Sequence, residues 1–129
     1  MNKTILGFGA FFGLTAVILG AFGAHGLKQQ IDADAIASFE TGVRYQMYHA
    51  LLLLFLGGTT VFDNILTKRL FYLLLIGILL FSGSIYLLAT NSLTSFNFTS
   101  IALLTPIGGA FLILAWSLML WKIIVKKYK

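Results

Sequence analysis

The chain has 129 residues, of which 59% are hydrophobic and only 10% are charged, and its mean hydropathy is +0.95. Soluble domains carry about a quarter charged residues, so this composition excludes a water-facing surface over most of the molecule and predicts an integral membrane protein. The net charge is +5, but the cations flank apolar runs, where they suit lipid headgroups, and we expect no nucleic-acid partner. The sequence contains no cysteine, which excludes disulfides and thiolate chemistry.

The first apolar run covers residues 5–24 and contains no charged residue. Its length of about 20 residues is enough to cross a bilayer core, and it exceeds the apolar core of a signal peptide, about 7–15 residues, so we expect an uncleaved span. Small residues recur in it at steps of three and four and predict a close helix-packing seam on one face: Gly9, Gly13, Ala16, Gly20 and Ala24. The pattern leaves open whether the seam meets a helix of the same chain or of another copy.

A short polar turn follows, and a new helical pattern starts at Asp32, a residue type that caps helix N-termini. Ile36, Phe39 and Val43 then lie on one helical face. The segment 33–45 is therefore predicted to form an amphipathic helix at the membrane surface.

Within that segment Glu40 and Arg44 are four residues apart, in the order that favours a helical ion pair. The second apolar run is short, so the predicted second span, 46–62, includes polar residues at its start. We expect the surface helix to continue into this span without a break, and a bend near Gly42 is the alternative.

The third and fourth spans are predicted at 70–89 and 100–122, and an uncharged polar loop joins them. Pro106 lies inside the last apolar run. Either Thr105 caps a helix that has Pro106 in its first position, or the helix starts earlier and kinks at the proline. We expect the kink, because residues 101–104 would otherwise form an apolar loop.

Four spans place both chain ends and the turn between spans two and three on one side of the membrane. Seven of the nine basic residues fall on that side: Lys3, Lys68, Arg69, Lys122, Lys126, Lys127 and Lys129. Basic residues accumulate on the cytoplasmic side of membrane proteins, so we expect both termini in the cytoplasm.

Reactive side chains are concentrated at the opposite side in a predicted polar interfacial cluster: His25, Glu40, Arg44, Tyr45, Gln46 and His49, with Tyr48 beside them. The cluster is compatible with haem or metal ligation by two histidines, with acid–base chemistry, or with an anionic headgroup site. We favour a hydrogen-bond network that holds the surface helix to the bundle, because buried polar groups in lipid need partners. We expect no metal or cofactor, since a catalytic zinc usually has three protein ligands.

Four motifs resemble a small membrane family known as domain of unknown function 423, whose animal relative is called transmembrane protein 256. They are GAFGAHGL at 20–27, TGVRYQ at 41–46 with HAL at 49–51, FSGSIY at 81–86 and TPIGG at 105–109. The resemblance implies a bacterial inner-membrane protein of four helices. It implies no activity, so no functional residue is carried over, although His25, Tyr45, Gln46 and His49 belong to the pattern.

We therefore expect an all-α, integral membrane four-helix bundle with an amphipathic interfacial helix between spans one and two. The expected role is non-enzymatic, in membrane stabilisation or assembly through helix packing, with lipid and a second copy or a larger membrane complex as partners. The alternatives are an oligomeric transporter or channel for a small solute, and a haem- or metal-binding protein that uses His25 and His49.

Overall fold

The computed structural model describes residues 1–95 and 97–126. In this part the chain forms four α-helices and no strand: α1 Lys3–Ala24, α2 Ala33–Gly58, α3 Asn64–Ala89 and α4 Leu104–Val125. Short 3₁₀ turns lie at Leu27–Gln29, Asn91–Leu93 and Phe98–Ile101. The predicted all-α helical bundle is confirmed, while Lys127 and Lys129, two of the lysines behind the predicted orientation, lie outside the described residues.

Helix α2 lies antiparallel to α1 along its whole length. Contacts between the two helices occur at regular intervals: Asn2 with Gly57, Gly9 with Leu54, Gly13 with Ala50, Gly20 with Val43, and Gly23 with Phe39. The Asp32 carboxylate caps α2 by accepting a hydrogen bond from the Ala35 N–H at 2.8 Å, as expected. The helix continues past Gly42 without a break and ends at Gly58, four residues before the predicted end of the second span.

Within the described residues, three segments are long and apolar enough to cross a membrane: Lys3–Gln29, Asn64–Ala89 and Phe98–Val125. Helix α2 is not among them, because Arg44, Gln46 and His49 interrupt its apolar character. Since α2 follows α1 from end to end, a bilayer that α1 crosses also contains α2. Packing against neighbouring helices must therefore explain how α2 keeps its polar residues inside a bilayer.

Helix α3 begins at Asn64, six residues before the predicted third span, because Asp63 caps it. The Asp63 Oδ1 atom accepts a hydrogen bond from the Leu66 N–H at 2.8 Å, and its Oδ2 atom lies 3.1 Å from the Lys122 Nζ atom at the end of α4. The Leu66 N–H, followed by the Lys122 ammonium, lowers the pKa of the Asp63 carboxyl below its usual value of 3.8.

Replacing Asp63 with asparagine is expected to lower the melting temperature at neutral pH by removing the charge that holds Lys122. A carboxyl whose pKa is lower in the folded state stabilises the fold above its unfolded pKa, and this contribution is lost as pH falls through the folded pKa. The difference in melting temperature between Asp63→Asn and the wild type should therefore disappear when both proteins are melted in detergent at pH values from 7 to below ~3. A melting-temperature difference that stays constant with pH would contradict a stabilising ion pair between Asp63 and Lys122.

Helix α4 begins at Leu104, so the predicted kink at Pro106 is wrong. Pro106 is the third residue of the helix, where the missing N–H has no intrahelical acceptor and costs no hydrogen bond. The residues before it form the turn Phe98–Ile101 instead of continuing the helix. Thr105 does not cap α4, because it lies inside the helix, whose N-cap is Leu103. Its hydroxyl is hydrogen-bonded to the Ser84 hydroxyl of α3.

Each helix packs mainly on its neighbour in the chain, so α2 and α3 are central and α1 and α4 are outer. The interior is lined by side chains such as Leu53, Leu70 and Ala115, all fully buried. The outer helices instead expose large apolar side chains, with Val17 on α1 61% exposed and Ile113 on α4 68% exposed. Such faces suit hydrocarbon, as expected for a membrane-embedded bundle.

Candidate functional site

Of the predicted polar interfacial cluster, the structure brings Tyr45 and His49 into contact and leaves His25 and Glu40 exposed. His25 is exposed at the end of α1, where its backbone N–H bonds the Ala21 carbonyl oxygen, and Glu40 is exposed on α2. Tyr45 is 41% exposed and packs against the rings of His49 and Phe81. Tyr48 is also exposed, at 54%.

The expected ion pair between Glu40 and Arg44 is absent from the described part of the chain. The Arg44 Nη2 atom instead donates a hydrogen bond to the Thr41 Oγ1 atom, at 3.1 Å. Side chains on a helix lean toward its N-terminus, so Arg44 extends back toward the end of the bundle that carries His25. An exposed arginine reaches a polar interface from within a membrane in this way.

Gln46 and His49 are buried, with 4% of each residue exposed. The Gln46 Nε2 atom donates to the Phe12 carbonyl oxygen at 2.9 Å and to the Thr15 Oγ1 atom at 2.7 Å. The Gln46 Oε1 atom accepts from the Tyr86 hydroxyl at 2.7 Å. A single amide group therefore joins α1, α2 and α3.

This connection lies halfway along α1, although the sequence predicts an interfacial position for Gln46. Phe12 is nine positions after the start of α1 at Lys3, and Thr15 is nine positions before its end at Ala24. The two partners of Gln46 are thus at the midpoint of the first span. A polar group at this depth is costly unless it is hydrogen-bonded, and the amide is bonded at both its nitrogen and its oxygen.

His49 joins α2 to α4. Its Nδ1 atom lies 2.7 Å from the Tyr45 carbonyl oxygen, and its Nε2 atom lies 3.1 Å from the Trp116 Nε1 atom. A carbonyl oxygen only accepts and an indole N–H only donates, so the imidazole carries its proton on Nδ1 and accepts at Nε2. In this neutral form, both ring nitrogens have hydrogen-bond partners.

Two further hydrogen bonds complete the connections between the helices. The Ser82 hydroxyl of α3 donates to the Gly42 carbonyl oxygen of α2 at 2.7 Å, and Ser84 of α3 bonds Thr105 of α4. We call these five side-chain centres, Gln46, Tyr86, His49, Ser82 and Ser84, the interhelical network. Within the described residues, no buried side-chain nitrogen or oxygen is left without a partner.

Sequence reasoning missed three members or partners of this network, Thr15, Tyr86 and Trp116. Each is a polar or hydrogen-bonding residue inside an apolar run, which is the only signal that singles them out. Their partners are 31, 40 and 67 residues away in the sequence. No local pattern connects positions so far apart.

The two histidines are too far apart to bind one metal ion. His49 comes directly before Ala50, which lies at the level of Gly13, whereas His25 lies twelve residues beyond Gly13 at the end of α1. At 1.5 Å per residue this separation is about 18 Å along the bundle. The described residues also contain no group of three or more histidine, aspartate or glutamate side chains able to hold a metal.

The predicted seam faces α2 of the same chain, which answers the question the sequence left open. Gly9, Gly13, Ala16 and Gly20 all lie on the side of α1 that packs against α2, with Ala16 1% exposed. Ala24 is exposed, and Gly23 takes the final position of the seam beside the Phe39 ring. A Cβ atom on Gly9 would lie 3.0 Å from the Leu54 backbone nitrogen, so the close approach favours glycine there.

Comparison with known proteins agrees with this architecture. A family model described as "Protein of unknown function (DUF423)" matches residues 19–109. A UPF0382 membrane protein of Staphylococcus saprophyticus is 39% identical, with 91% of this chain and 93% of the relative covered. The UPF0382 inner membrane protein YgdD of Escherichia coli is 37% identical, with 92% of this chain and 88% of the relative covered.

A third relative, the UPF0382 membrane protein YwdK of Bacillus subtilis, is 37% identical, with 88% of this chain and 90% of the relative covered. No solved structure matches the chain. The names of these relatives place them in membranes and state no activity for them.

Proposed function

The chain belongs to the DUF423 family of membrane proteins, and on this premise we propose that it is a non-enzymatic accessory protein of the bacterial cytoplasmic membrane, acting in membrane stabilisation or assembly. This role depends on an interior that holds the four helices in one arrangement and on the apolar faces of the outer helices. The inner-membrane location is taken from the name of the Escherichia coli relative.

The interhelical network is the observation that carries the proposal. Polar groups at mid-membrane depth commonly mark ion paths or catalytic sites. Here the Gln46 amide bonds groups on α1 and α3. The His49 imidazole bonds Trp116 of α4 and the Tyr45 carbonyl oxygen of its own helix. The network supports a role in holding four helices in one arrangement, because reactive chemistry would have to break these bonds first.

Contact with a partner through the glycine seam is not supported, since α2 occupies the seam. The surfaces left for lipid or for another protein include the outer faces of α1 and α4. They expose Phe11, Leu14, Ile113 and Trp121 by about half or more. Partner contacts in this proposal are therefore made by these apolar faces.

Purification in mild detergent tests this role. Light scattering on the purified full-length protein is expected to show an oligomer or a co-purifying membrane protein, with no Soret absorption and no stoichiometric metal. A monomer without any partner would contradict the accessory role. A Soret band or bound metal would instead support the cofactor alternative.

The proposal places both termini in the cytoplasm. The start of α1, the turn between α2 and α3, and the end of α4 meet at one end of the bundle, since Asn2 bonds Gly57 and Lys122 bonds Asp63. This end, which we call the basic end, carries every described lysine and arginine except Lys28 and Arg44: Lys3, Lys68, Arg69, Lys122 and Lys126. The distribution supports a cytoplasmic basic end.

The cysteine-free sequence allows a clean test of this topology. Single substitutions Lys28→Cys and Ser92→Cys at the opposite end are expected to react with a membrane-impermeant maleimide added outside cells. Thr60→Cys at the basic end should react only after the membrane is permeabilised. Outside labelling of Thr60→Cys, or of only one of the other two positions, would overturn the arrangement.

A further inference from the structure

Three adjacent cavities follow one another at the basic end. The first, about 610 Å³, lies between the start of α1, the turn after α2 and the first turns of α3. The second, about 230 Å³, shares Asn2 and Lys68 with the first. The third, an open depression of about 450 Å³ on the face of α1, shares Thr4 with the second and lies beside Phe8.

The character of the lining changes from polar to aromatic along this series. Helix α3 supplies Asn64, Thr67 and Lys68 to the first cavity, and Lys68, Phe71 and Tyr72 to the second. These positions follow the spacing i, i+3, i+4, i+7 and i+8, which places them on one face of the helix. The face is thus polar for its first turn and aromatic for the next.

The polar part of this face has free hydrogen-bond donors. Among the described residues, the side chains of Asn64, Thr67 and Lys68 make no hydrogen bond or ion pair. Asp63 also lines the first cavity, but its two oxygens are already bonded to the Leu66 N–H and the Lys122 ammonium. The Lys68 ammonium is therefore left to pair with an external anion.

The aromatic part provides an apolar continuation. Phe71 packs against Phe8 of α1 with ring centroids 5.4 Å apart, and Tyr72 is 58% exposed at the edge of the second cavity. On α1, a Cβ atom placed on Gly7 would meet no atom within 4 Å, so the surface beside Phe8 is open. An acyl chain has room to lie along this groove.

From this arrangement we propose that the basic end holds an anionic phospholipid, whose phosphate pairs with Lys68 and whose acyl chain follows the groove of Phe8, Phe71 and Tyr72. A soluble phosphate compound would use only the polar cavity and leave the aromatic groove unfilled. An amphiphile matches both parts at once, and its headgroup lies at the membrane interface, where Lys68 is one turn into α3. The site is independent of the accessory role proposed above.

Lipid binding to the full-length protein tests this proposal. Native mass spectrometry of the detergent-solubilised wild type, titrated with phosphatidylglycerol or phosphatidylcholine, is expected to show preferential retention of the anionic lipid. Lys68→Gln should weaken phosphatidylglycerol binding about tenfold, the loss typical of one charge-assisted hydrogen bond. Arg69→Gln is the matched control, because it removes the same charge from the next position of α3, which lines neither cavity.

Two further measurements distinguish a phospholipid from free phosphate as the source of the anion. Tyr72→Ala is expected to weaken binding of long-chain phosphatidylglycerol more than of a short-chain analogue, whereas inorganic phosphate in excess should displace neither lipid fully. Equal losses in Lys68→Gln and Arg69→Gln, equal retention of phosphatidylcholine, or complete displacement by phosphate would each overturn the proposal. Because both basic side chains are exposed, melting curves close to that of the wild type are expected for both variants.

Discussion

Replacing Gly108 with alanine is expected to separate α3 from α4 and to destabilise the protein by about 3 kcal/mol or more. A Cβ atom at this position would overlap the Phe81 backbone nitrogen and would lie 2.8 Å from the Leu80 carbonyl carbon. These are backbone atoms inside helix α3, so they cannot rotate away as a flexible side chain would. Helix α4 would have to move outward as a whole, and the bond between Ser84 and Thr105 would be lost with it.

Gly109→Ala is the matched control for this prediction. A Cβ atom on Gly109 would lie 3.6 Å from the Phe81 ring, which is ordinary van der Waals contact. Both substitutions make the same change in helix propensity, so only the contact with α3 distinguishes them. Melting of both variants in the same detergent, followed by circular dichroism, measures the difference, and similar melting temperatures would show that α3 and α4 are not packed as described.

Replacing Gln46 with leucine is expected to destabilise the protein by about 1–3 kcal/mol, although leucine is the more apolar side chain. The substitution keeps a similar volume but removes the acceptor of the Tyr86 hydroxyl and the donor to the Thr15 hydroxyl. The Tyr86 hydroxyl is then left in an apolar interior without this partner. Gln30→Leu, on the exposed turn before α2, should change stability by less than about 0.5 kcal/mol.

A double-mutant cycle separates this hydrogen bond from packing effects. Tyr86→Phe removes the hydroxyl group that Gln46→Leu leaves unpaired, so the double variant should be less destabilised than the sum of the single variants. Coupling of about 0.6–1.7 kcal/mol is expected from hydrogen bonds between membrane helices. Additive losses, measured by unfolding in a denaturing detergent, would indicate that the two side chains do not interact.

Comparison of particular residues shows how much of this arrangement was predictable. The cap at Asp32 and the continuity of α2 through Gly42 followed from residue type and local spacing, and both are present. The start of α4 was predicted wrongly because Pro106 is compatible with a first turn as well as with a kink. The apolar run before Pro106 belongs instead to a 3₁₀ turn, which has no distinctive sequence pattern.

The partners of the polar residues could not be predicted, for a different reason. Hydropathy placed Gln46 at the interface, because a glutamine beside an apolar run lies at the surface unless other helices supply partners. The partners are Thr15 on α1 and Tyr86 on α3. Their heights along the bundle depend on how three helices are aligned with one another, and the periodicity of a single helix contains no information about that alignment.

The sequence by itself determined that this protein is a membrane-embedded all-α chain with four helical segments and with most of its cations at one end. These properties follow from length, hydropathy and charge, which are local and additive along a chain. Only the tertiary structure decided that α2 follows α1 throughout, that the glycine seam is used within the chain, and that Gln46 and His49 meet partners at mid-depth. These contacts join residues from different helices, and close approach at positions such as Gly9 and Gly108 sets the alignment that makes them possible.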